Sequence, residues 1–177
     1  MDLKGSKTEQ NLISAFAGES MAANRYWLYA EKAHEEGYEQ IKSVFEETSE
    51  NEVQHAKRIL NFINGIGSTE ANLEAGAYGE HEEWTKIYKE MEAVAKEEGF
   101  GEIAAFFKNV ATVEKEHEER YQALHKLLKE KKVFQGDENT VWVCKNCGYV
   151  YVGKEAPKKC PVCIYPQAYF ERKADNY

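Results

Sequence analysis

The chain has 177 residues and a formal charge of −8, with 31 acidic residues against 23 lysines and arginines. Its length suits one domain of helix-bundle size followed by a smaller unit. The acidic balance argues against nucleic acid and anionic membranes as partners. No apolar run approaches the roughly 20 residues that cross a bilayer, and the polar N-terminus lacks the apolar core of a signal peptide. We therefore expect a cytoplasmic protein that binds neither nucleic acids nor membranes.

Four long helices are predicted in the first three quarters of the chain, which are rich in Ala, Glu, Lys and Leu and contain no proline. Gly37 and Gly99 fit tight turns between helices. Ser68 or Thr69 can cap the third helix after a glycine-rich break. The predicted helices cover about 7–36, 38–64, 69–98 and 100–132.

The helical region repeats itself at an offset of 62 residues. Glu52 and His55 recur as Glu114 and His117 at this offset, and the two glycine turns recur with them. The repeat predicts two helical hairpins related by pseudo-twofold symmetry, each contributing half of a central site. We therefore expect a mainly α fold built as an antiparallel four-helix bundle.

The repeat slips once, in the third helix. Glu19 matches Glu80 at an offset of 61, whereas Tyr26 matches Tyr88 at 62. At about 100° per residue, Glu19 and Tyr26 lie about 20° apart around the helix axis, but the later pair lies about 80° apart in a regular helix. A single π-helical turn restores the alignment, and such turns favour functional sites. We therefore predict a π-helical turn between Glu80 and Tyr88.

Each Glu-x-x-His pair lies in the middle of the apolar stripe of its helix, among residues such as Ile41, Phe62, Ile103 and Phe106. An unpaired carboxylate in a core costs several kcal/mol, so its burial requires a partner or a metal. Paired Glu-x-x-His helices and glutamates from two further helices form the ligand set of di-iron and di-manganese proteins. Imidazole also suits zinc. The predicted ligands are Glu19, Glu52, His55, Glu80, Glu83, Glu114 and His117.

The outer partners of the two histidines are not fixed by the sequence. Metal-bound histidines usually need an acceptor for the second ring nitrogen. The predicted helices contain no aspartate, so a Glu, Asn, Gln or backbone carbonyl must serve. His81 follows Glu80 directly, but one position along a helix turns a side chain away. We expect His81 to lie outside the ligand set.

The C-terminal tail has a different composition, rich in β-branched and aromatic residues and in proline. A tail of roughly 36 residues is too short for a self-sufficient core and needs a covalent or metal cross-link. Two C-x-x-C pairs supply four thiols, and in a cytosolic protein they favour a metal over disulfides. The four-sulfur site suits zinc or iron. Its predicted ligands are Cys144, Cys147, Cys160 and Cys163.

Several segments together resemble the rubrerythrin family over essentially the full chain. They are Ala15–Met21, Asn51–Arg58, Gly79–Glu83, Glu114–His117 and the two cysteine pairs. Glu83 discriminates most sharply, because ferritin-like bundles in general supply one glutamate from this helix. The cysteine pairs resemble those of rubredoxin, although Ile164 stands where many rubredoxins carry a small residue. The resemblance implies a ferritin-like bundle over 1–135 and a rubredoxin-like domain over 136–177.

The resemblance also implies roles for these residues. Glu52 and Glu114 bridge two irons, while Glu83 and His55 exchange as ligands of one iron on reduction. The remaining predicted bundle ligands bind terminally, and the four cysteines bind a third iron. Tyr26 and Tyr88 match tyrosines that surround the site.

The implied activity is the reduction of hydrogen peroxide to water, with electrons relayed from the four-cysteine iron to the di-iron site. The ultimate donor is a separate rubredoxin or NAD(P)H-dependent reductase, because the chain has no dinucleotide fingerprint. His117 lies about 22 Å before the predicted end of its helix. We therefore expect a head-to-tail homodimer, in which the tail of one chain serves the bundle of the other.

Two alternatives remain open at this point. A ferroxidase or iron-binding protein uses the same bundle ligands and consumes oxygen, although it has no need of a relay. A zinc protein without enzymatic activity holds structural zinc in the tail. Metal content and the preferred oxidant separate the three interpretations.

Overall fold

The computed structural model describes residues 2–174, which divide at Gly67 and Ser68 into two compact units. No helix within these residues has the length and apolar character needed to cross a membrane. The helices are α1 (Lys7–Glu35), α2 (Glu39–Phe62), α3 (Thr69–Glu82), a π-helical turn (Glu83–Ile87), α4 (Tyr88–Glu97) and α5 (Gly101–Lys129). The strands are β1 (Val141–Cys144), β2 (Val150–Val152) and β3 (Phe170–Arg172). All four predicted helices are thus confirmed, the third one interrupted by the π-helical turn.

The first unit is the hairpin of α1 and α2. Gly37 ends α1 with a φ of +82°, and the Tyr38 N–H donates to the Ala33 carbonyl at 2.8 Å. Both features belong to the predicted glycine turn. The interface between the two helices is built from small side chains, and Ser49 donates to the Ala23 carbonyl at 2.9 Å. Small residues allow the helices to approach closely, which places the facing carboxylates of α1 and α2 within reach of one another.

The second unit begins with α3, the π-helical turn, α4 and α5. Ser68 caps α3, because its hydroxyl accepts from the Ala71 N–H at 3.2 Å. Gly99 has a φ of +84° and repeats the turn seen at Gly37. The π-helical turn lies between Glu80 and Tyr88, as the slip in the repeat predicts. The Tyr88 N–H donates to the carbonyl of Glu83, five residues earlier, which is the bond that defines a π-helix.

The apolar stripes of the two hairpins are less buried than a bundle core requires. Ile41 and Phe62 are 49% and 50% exposed, and Ile103 and Phe106 are 46% and 60% exposed. The buried residues of the helices are mostly alanines instead. A single layer of helices covers only the side that faces its neighbour. Each hairpin therefore presents an apolar face that a further layer must cover.

The tail of the second unit folds as a three-stranded antiparallel sheet with the order β2-β1-β3. Its buried residues are Trp142, Cys144, Ala156, Cys160 and Phe170. The Trp142 indole N–H donates to the Gly153 carbonyl at 2.8 Å, so the largest core side chain is fully hydrogen-bonded. Two of the five core residues are cysteines, which agrees with the prediction that this core depends on a cross-link.

Candidate metal centres

The first half-site lies in the hairpin of α1 and α2. Ligand atoms of Glu19, Glu52 and His55 all lie within 4.8 Å of one another. His55 Nδ1 is 2.7 Å from the Glu52 carboxylate and 3.9 Å from that of Glu19. The i, i+3 spacing on α2 brings Glu52 and His55 to one face of the helix. Two carboxylates and one imidazole at these distances suit a divalent iron or manganese ion.

The second half-site repeats this geometry in the other unit. Glu80, Glu114 and His117 offer ligand atoms within 4.8 Å of one another. His117 Nδ1 is 2.8 Å from the Glu114 carboxylate and 3.7 Å from that of Glu80. Glu83 lies outside this close group, although its charge contributes to the raised pKa of Glu80. The structure thus brings together six of the seven predicted ligands, three in each unit.

One carboxylate in each half-site, Glu19 in the first and Glu80 in the second, resists ionisation in the absence of a cation. A hydrogen bond with Glu52, burial and the Glu52 charge raise the pKa of Glu19 above 4.5. Burial and then the Glu114 charge raise the pKa of Glu80 above the same value. Like charges held this close favour a shared proton or a bound cation. The donor sets therefore fit metal ions well.

We expect the metal-free protein to lose stability as the pH rises from 4.5 through the raised pKa values of Glu19 and Glu80. In that window these two carboxyl groups bind more protons in the folded chain than in the unfolded chain, so their contribution to the free energy of unfolding falls with pH. Loaded metal should reverse this trend, because cation binding requires the ionised carboxylates. Urea unfolding between pH 4.5 and 7 checks the slope. A Glu19→Gln/Glu80→Gln variant with an unchanged slope contradicts this assignment.

Tyr26 and Tyr88 occupy equivalent places in the two hairpins. Tyr26 stacks on Phe45 at 6.2 Å between ring centroids, and Tyr88 stacks on Phe107 at 6.0 Å. Burial and the charge of Glu83 raise the pKa of the Tyr88 phenol. The hydroxyl of Tyr88 therefore keeps its proton near the carboxylates and can donate it in a hydrogen bond.

The four cysteines form one compact cluster in the tail. The Sγ atoms of Cys144 and Cys163 are 3.7 Å apart, and those of Cys147 and Cys160 are 3.6 Å apart. A tetrahedral ion with metal–sulfur bonds of about 2.3 Å has sulfur–sulfur edges of about 3.8 Å. A disulfide requires about 2.05 Å instead. The spacing therefore fits four thiolates around one metal ion.

The surroundings of Cys163 and Cys147 shift the pKa values of these two thiols in opposite directions. Burial opposes ionisation of Cys163, but the Tyr165 N–H, the Asn146 side chain and neighbouring thiols bring its pKa to about 6. The Tyr149 N–H favours the Cys147 thiolate, yet burial and the three other thiols raise its pKa to about 12. Four adjacent thiols cannot all ionise without a cation, and a bound metal supplies the missing charge.

Each C-x-x-C pair forms a loop, here called a knuckle, and both knuckles follow the same backbone path. They differ at the residue that follows the second cysteine, which has a positive φ in both. Gly148 has a φ of +77°, and Ile164 in the second knuckle has a φ of +67°. Glycine adopts this conformation freely, whereas a β-branched residue does so only under strain. Ile164 is 57% exposed, so packing does not offset the cost.

We expect Ile164→Gly to raise the free energy of unfolding of the tail by up to about 1 kcal/mol. The left-handed conformation costs an L-residue roughly 1–2 kcal/mol, and the added freedom of glycine in the unfolded chain offsets about 0.5–1 kcal/mol of that gain. Denaturant titration that follows the thiolate–metal absorption measures the change. Val162→Gly is the matched control, because Val162 is also exposed and lacks a positive φ. A less stable tail in Ile164→Gly contradicts this expectation.

One buried polar cluster is not foreseen by the sequence patterns. Glu118 is 8% exposed and accepts hydrogen bonds from Trp84, Gln122 and His81. His81 lies outside the close ligand group, as expected, but it contacts this carboxylate. A comparison of the two repeats could have singled out Glu118, because the matching residue of the first hairpin is Ala56.

Paired Glu-x-x-His helices followed by a four-cysteine tail define a ferritin-like metalloprotein with a rubredoxin-like domain. A family model described as Rubrerythrin matches residues 10–125, and one described as Rubrerythrin, rubredoxin-like domain, matches residues 142–171. The chain belongs to the rubrerythrin family. The predicted fold class is confirmed by these matches together with the helices and the small sheet.

Named relatives cover nearly the whole chain. Rubrerythrin-1 of Clostridium acetobutylicum is 50% identical over 192 residues, covering 99% of this chain and 98% of that protein. Rubrerythrin of Porphyromonas gingivalis is 51% identical over 188 residues, covering 99% of this chain and 94% of that protein. A solved structure of nigerythrin in a mixed-valence state is 31% identical, with a TM-score of 0.36 over 97% of this chain and 91% of that chain.

Family membership and the donor clusters together establish the cofactors. The protein carries two irons at the Glu and His groups and one iron at the four cysteines. It is an iron-dependent oxidoreductase of the peroxidase type that acts in oxidative stress. The predicted cofactors are confirmed at this level.

Proposed function

We propose that this protein reduces hydrogen peroxide to water, using electrons that pass from the four-cysteine iron to the di-iron site. The observation that carries the proposal is the presence in one chain of two carboxylate–imidazole half-sites and a tetrahedral thiol cluster. Each peroxide consumes two electrons and two protons, its O–O bond breaks, and two waters form. A two-iron store with a one-electron relay matches this demand.

Seven side chains hold the two irons in this proposal. Glu52 and Glu114 would be shared by the two ions, and Glu83 and His55 would be alternative ligands of one of them. The terminal ligands are Glu19, Glu80 and His117. The two half-sites lie in different compact units, 2–67 and 68–174.

Glutamates and tyrosines of the chain balance charge and donate hydrogen bonds during the proposed reaction. When bound, the two irons supply the electrons that cleave the O–O bond. The glutamates of the two half-sites would balance the positive charge of the irons and take part in proton uptake. Tyr88 keeps its phenolic proton. Its hydroxyl can therefore donate a hydrogen bond to the peroxide oxygen that gains negative charge. Tyr26 has the equivalent role in the first hairpin.

We further propose a head-to-tail homodimer. His117 lies 12 residues before Lys129, where α5 ends, so the helix alone leads about 18 Å away from the ligand. In the proposed dimer, the four-cysteine cluster of one chain would serve the di-iron site of the second chain. The exposed apolar faces of the helices supply surface for such an interface. A monomer in solution with full peroxide turnover would refute this arrangement.

The external donor is a rubredoxin or an NAD(P)H-dependent reductase in this proposal, and the working compartment is the cytoplasm. The four cysteines form no disulfides, which agrees with a reducing compartment. Steady-state consumption of peroxide and oxygen, measured with a rubredoxin and its NADH-dependent reductase, tests the proposal. We expect rapid peroxide consumption that depends on both donor proteins. Faster consumption of oxygen than of peroxide would favour a ferroxidase instead.

A further inference from the structure

Glu118 on α5 is a buried carboxylate with three hydrogen-bond donors. The Trp84 indole N–H donates to it at 2.5 Å, the Gln122 amide at 2.6 Å and His81 Nδ1 lies 3.1 Å away. These hydrogen bonds offset the cost of burying a polar group. Glu118 is therefore a buried anchor that joins three side chains.

Two donors of this anchor, His81 and Trp84, each follow a predicted glutamate ligand in the second unit. His81 follows Glu80 directly, and Trp84 follows Glu83 within the π-helical turn. Glu118 itself follows His117 on α5. A single carboxylate thus ties the segment that carries Glu80 and Glu83 to the helix that carries His117. It touches none of the predicted ligands in the hydrogen bonds of the described residues.

The other hairpin lacks this anchor at every equivalent position. Glu118 and Gln122 correspond to Ala56 and Leu60 at the offset of 62. At the offset of 61, which aligns Glu19 with Glu80, Trp84 corresponds to Ala23 and His81 to Ser20. Helix α1 also lacks a π-helical turn. The anchor and the π-helical turn therefore occur together in one hairpin and are absent together from the other.

A π-helical turn needs local support, because it is rare and is usually confined to single turns within α-helices. Trp84 supplies such support through more than one contact. Its ring packs edge-on against His81 at 5.5 Å, and the Lys89 and Lys115 ammonium groups lie 5.5 and 6.0 Å from its centroid. Lys115 lies on α5, so the ring contacts that helix through a cation as well as through the carboxylate.

We propose that Glu118 is a positioning residue that fixes the π-helical turn through Trp84 and His81, and thereby presents Glu80 and Glu83 to the metals. It acts at a distance from the ions, through the backbone of α3 and the turn. This inference rests on the iron site and not on the reduction of peroxide, so either can fail while the other stands.

Iron retention tests the proposal. The iron-loaded full chain is titrated anaerobically with a ferrous chelator, and thiolate absorption separates loss of the tail iron from loss of the bundle iron. We expect Glu118→Ala to release bundle iron at about 10- to 100-fold lower chelator concentration, the range typical for outer partners of metal ligands. Glu119→Ala is the matched control, because Glu119 is the next residue on α5 and is exposed. Glu118→Gln, which keeps an acceptor for Trp84, should fall between Glu118→Ala and the natural protein.

A second readout separates positioning from general stability. A merely structural residue lowers the thermal midpoint equally with and without iron, whereas a positioning residue also shrinks the midpoint gain that iron provides. Trp84→Phe keeps an aromatic ring but loses the donor, and it decides the case if Glu118→Ala does not fold. The proposal is overturned if Glu118→Ala retains iron within about threefold of the natural protein. If only Trp84→Phe folds, the same criterion applies to that variant. The proposal is also overturned if Glu119→Ala loses as much iron as Glu118→Ala.

Discussion

Replacing Glu52 and Glu114 together by glutamine should lower peroxide turnover by at least about 100-fold. Changes to residues that only contact metal ligands already lower metal affinity or activity about 10- to 100-fold. Glu52 and Glu114 are themselves proposed ligands, shared by the two irons. Glutamine keeps the side-chain volume and removes the charge that balances the metals. Bundle iron should be lost while the tail iron remains. Metal analysis together with steady-state peroxide consumption measures both effects.

The control for this variant is Glu50→Gln/Glu116→Gln. Each of these residues lies two positions from a proposed bridging ligand on the same helix and is exposed. The control should keep its iron and its turnover. If the Glu52/Glu114 variant retains two bundle irons and more than about a tenth of the turnover, the assignment of these residues as metal ligands is wrong.

Replacing Cys160 by serine should unfold the tail and stop turnover that depends on an external donor. Among the described residues, the buried core of the tail consists of Trp142, Ala156 and Phe170 besides two of the four cysteines, with Phe134 and Tyr149 packed against it. Structural four-ligand sites contribute on the order of 10 kcal/mol to the folding of such small units. Trp142 is fully buried, so its fluorescence should shift to longer wavelength as the sheet is lost. The helices should keep their circular dichroism.

The reaction of the bundle itself should survive in Cys160→Ser. Chemically reduced bundle iron should still be oxidised by one addition of peroxide, while sustained turnover falls at least about 100-fold, because the relay is missing. Val162→Ser in the same knuckle is the control, since Val162 is exposed and provides no sulfur. Full donor-dependent turnover in Cys160→Ser would show that electrons reach the bundle without the four-cysteine iron.

Much of this fold follows from spacing along the sequence. Glycine turns and caps are local devices, so Gly37, Gly99 and Ser68 are recognisable without knowledge of the tertiary structure. The π-helical turn is predictable for a different reason. The predicted ligand and the tyrosine of each repeat share one helix face. The extra residue between Glu80 and Tyr88 preserves this alignment only if a π-helical turn accommodates it.

Other features depend on contacts that periodicity does not specify. Periodicity identifies the apolar face of a helix but not the surface that covers it, which is why Ile41 and Phe106 remain exposed within their hairpins. Glu118 bonds Trp84 and His81, which lie 34 and 37 positions away in the sequence, so no local sequence pattern predicts these contacts. Only its departure from the internal repeat, with Ala56 at the matching position, distinguishes it from an ordinary helix-surface glutamate.

Anaerobic stopped-flow spectroscopy tests the central claim most directly. The protein is assayed for iron and zinc, fully reduced, and mixed with peroxide and separately with oxygen while the ferric–thiolate absorption is followed. We predict that peroxide restores this absorption much faster than oxygen does, because in the proposed mechanism electrons leave the four-cysteine iron through the di-iron site. A faster response to oxygen would contradict the peroxidase assignment, and a colourless tail filled with zinc would contradict the relay.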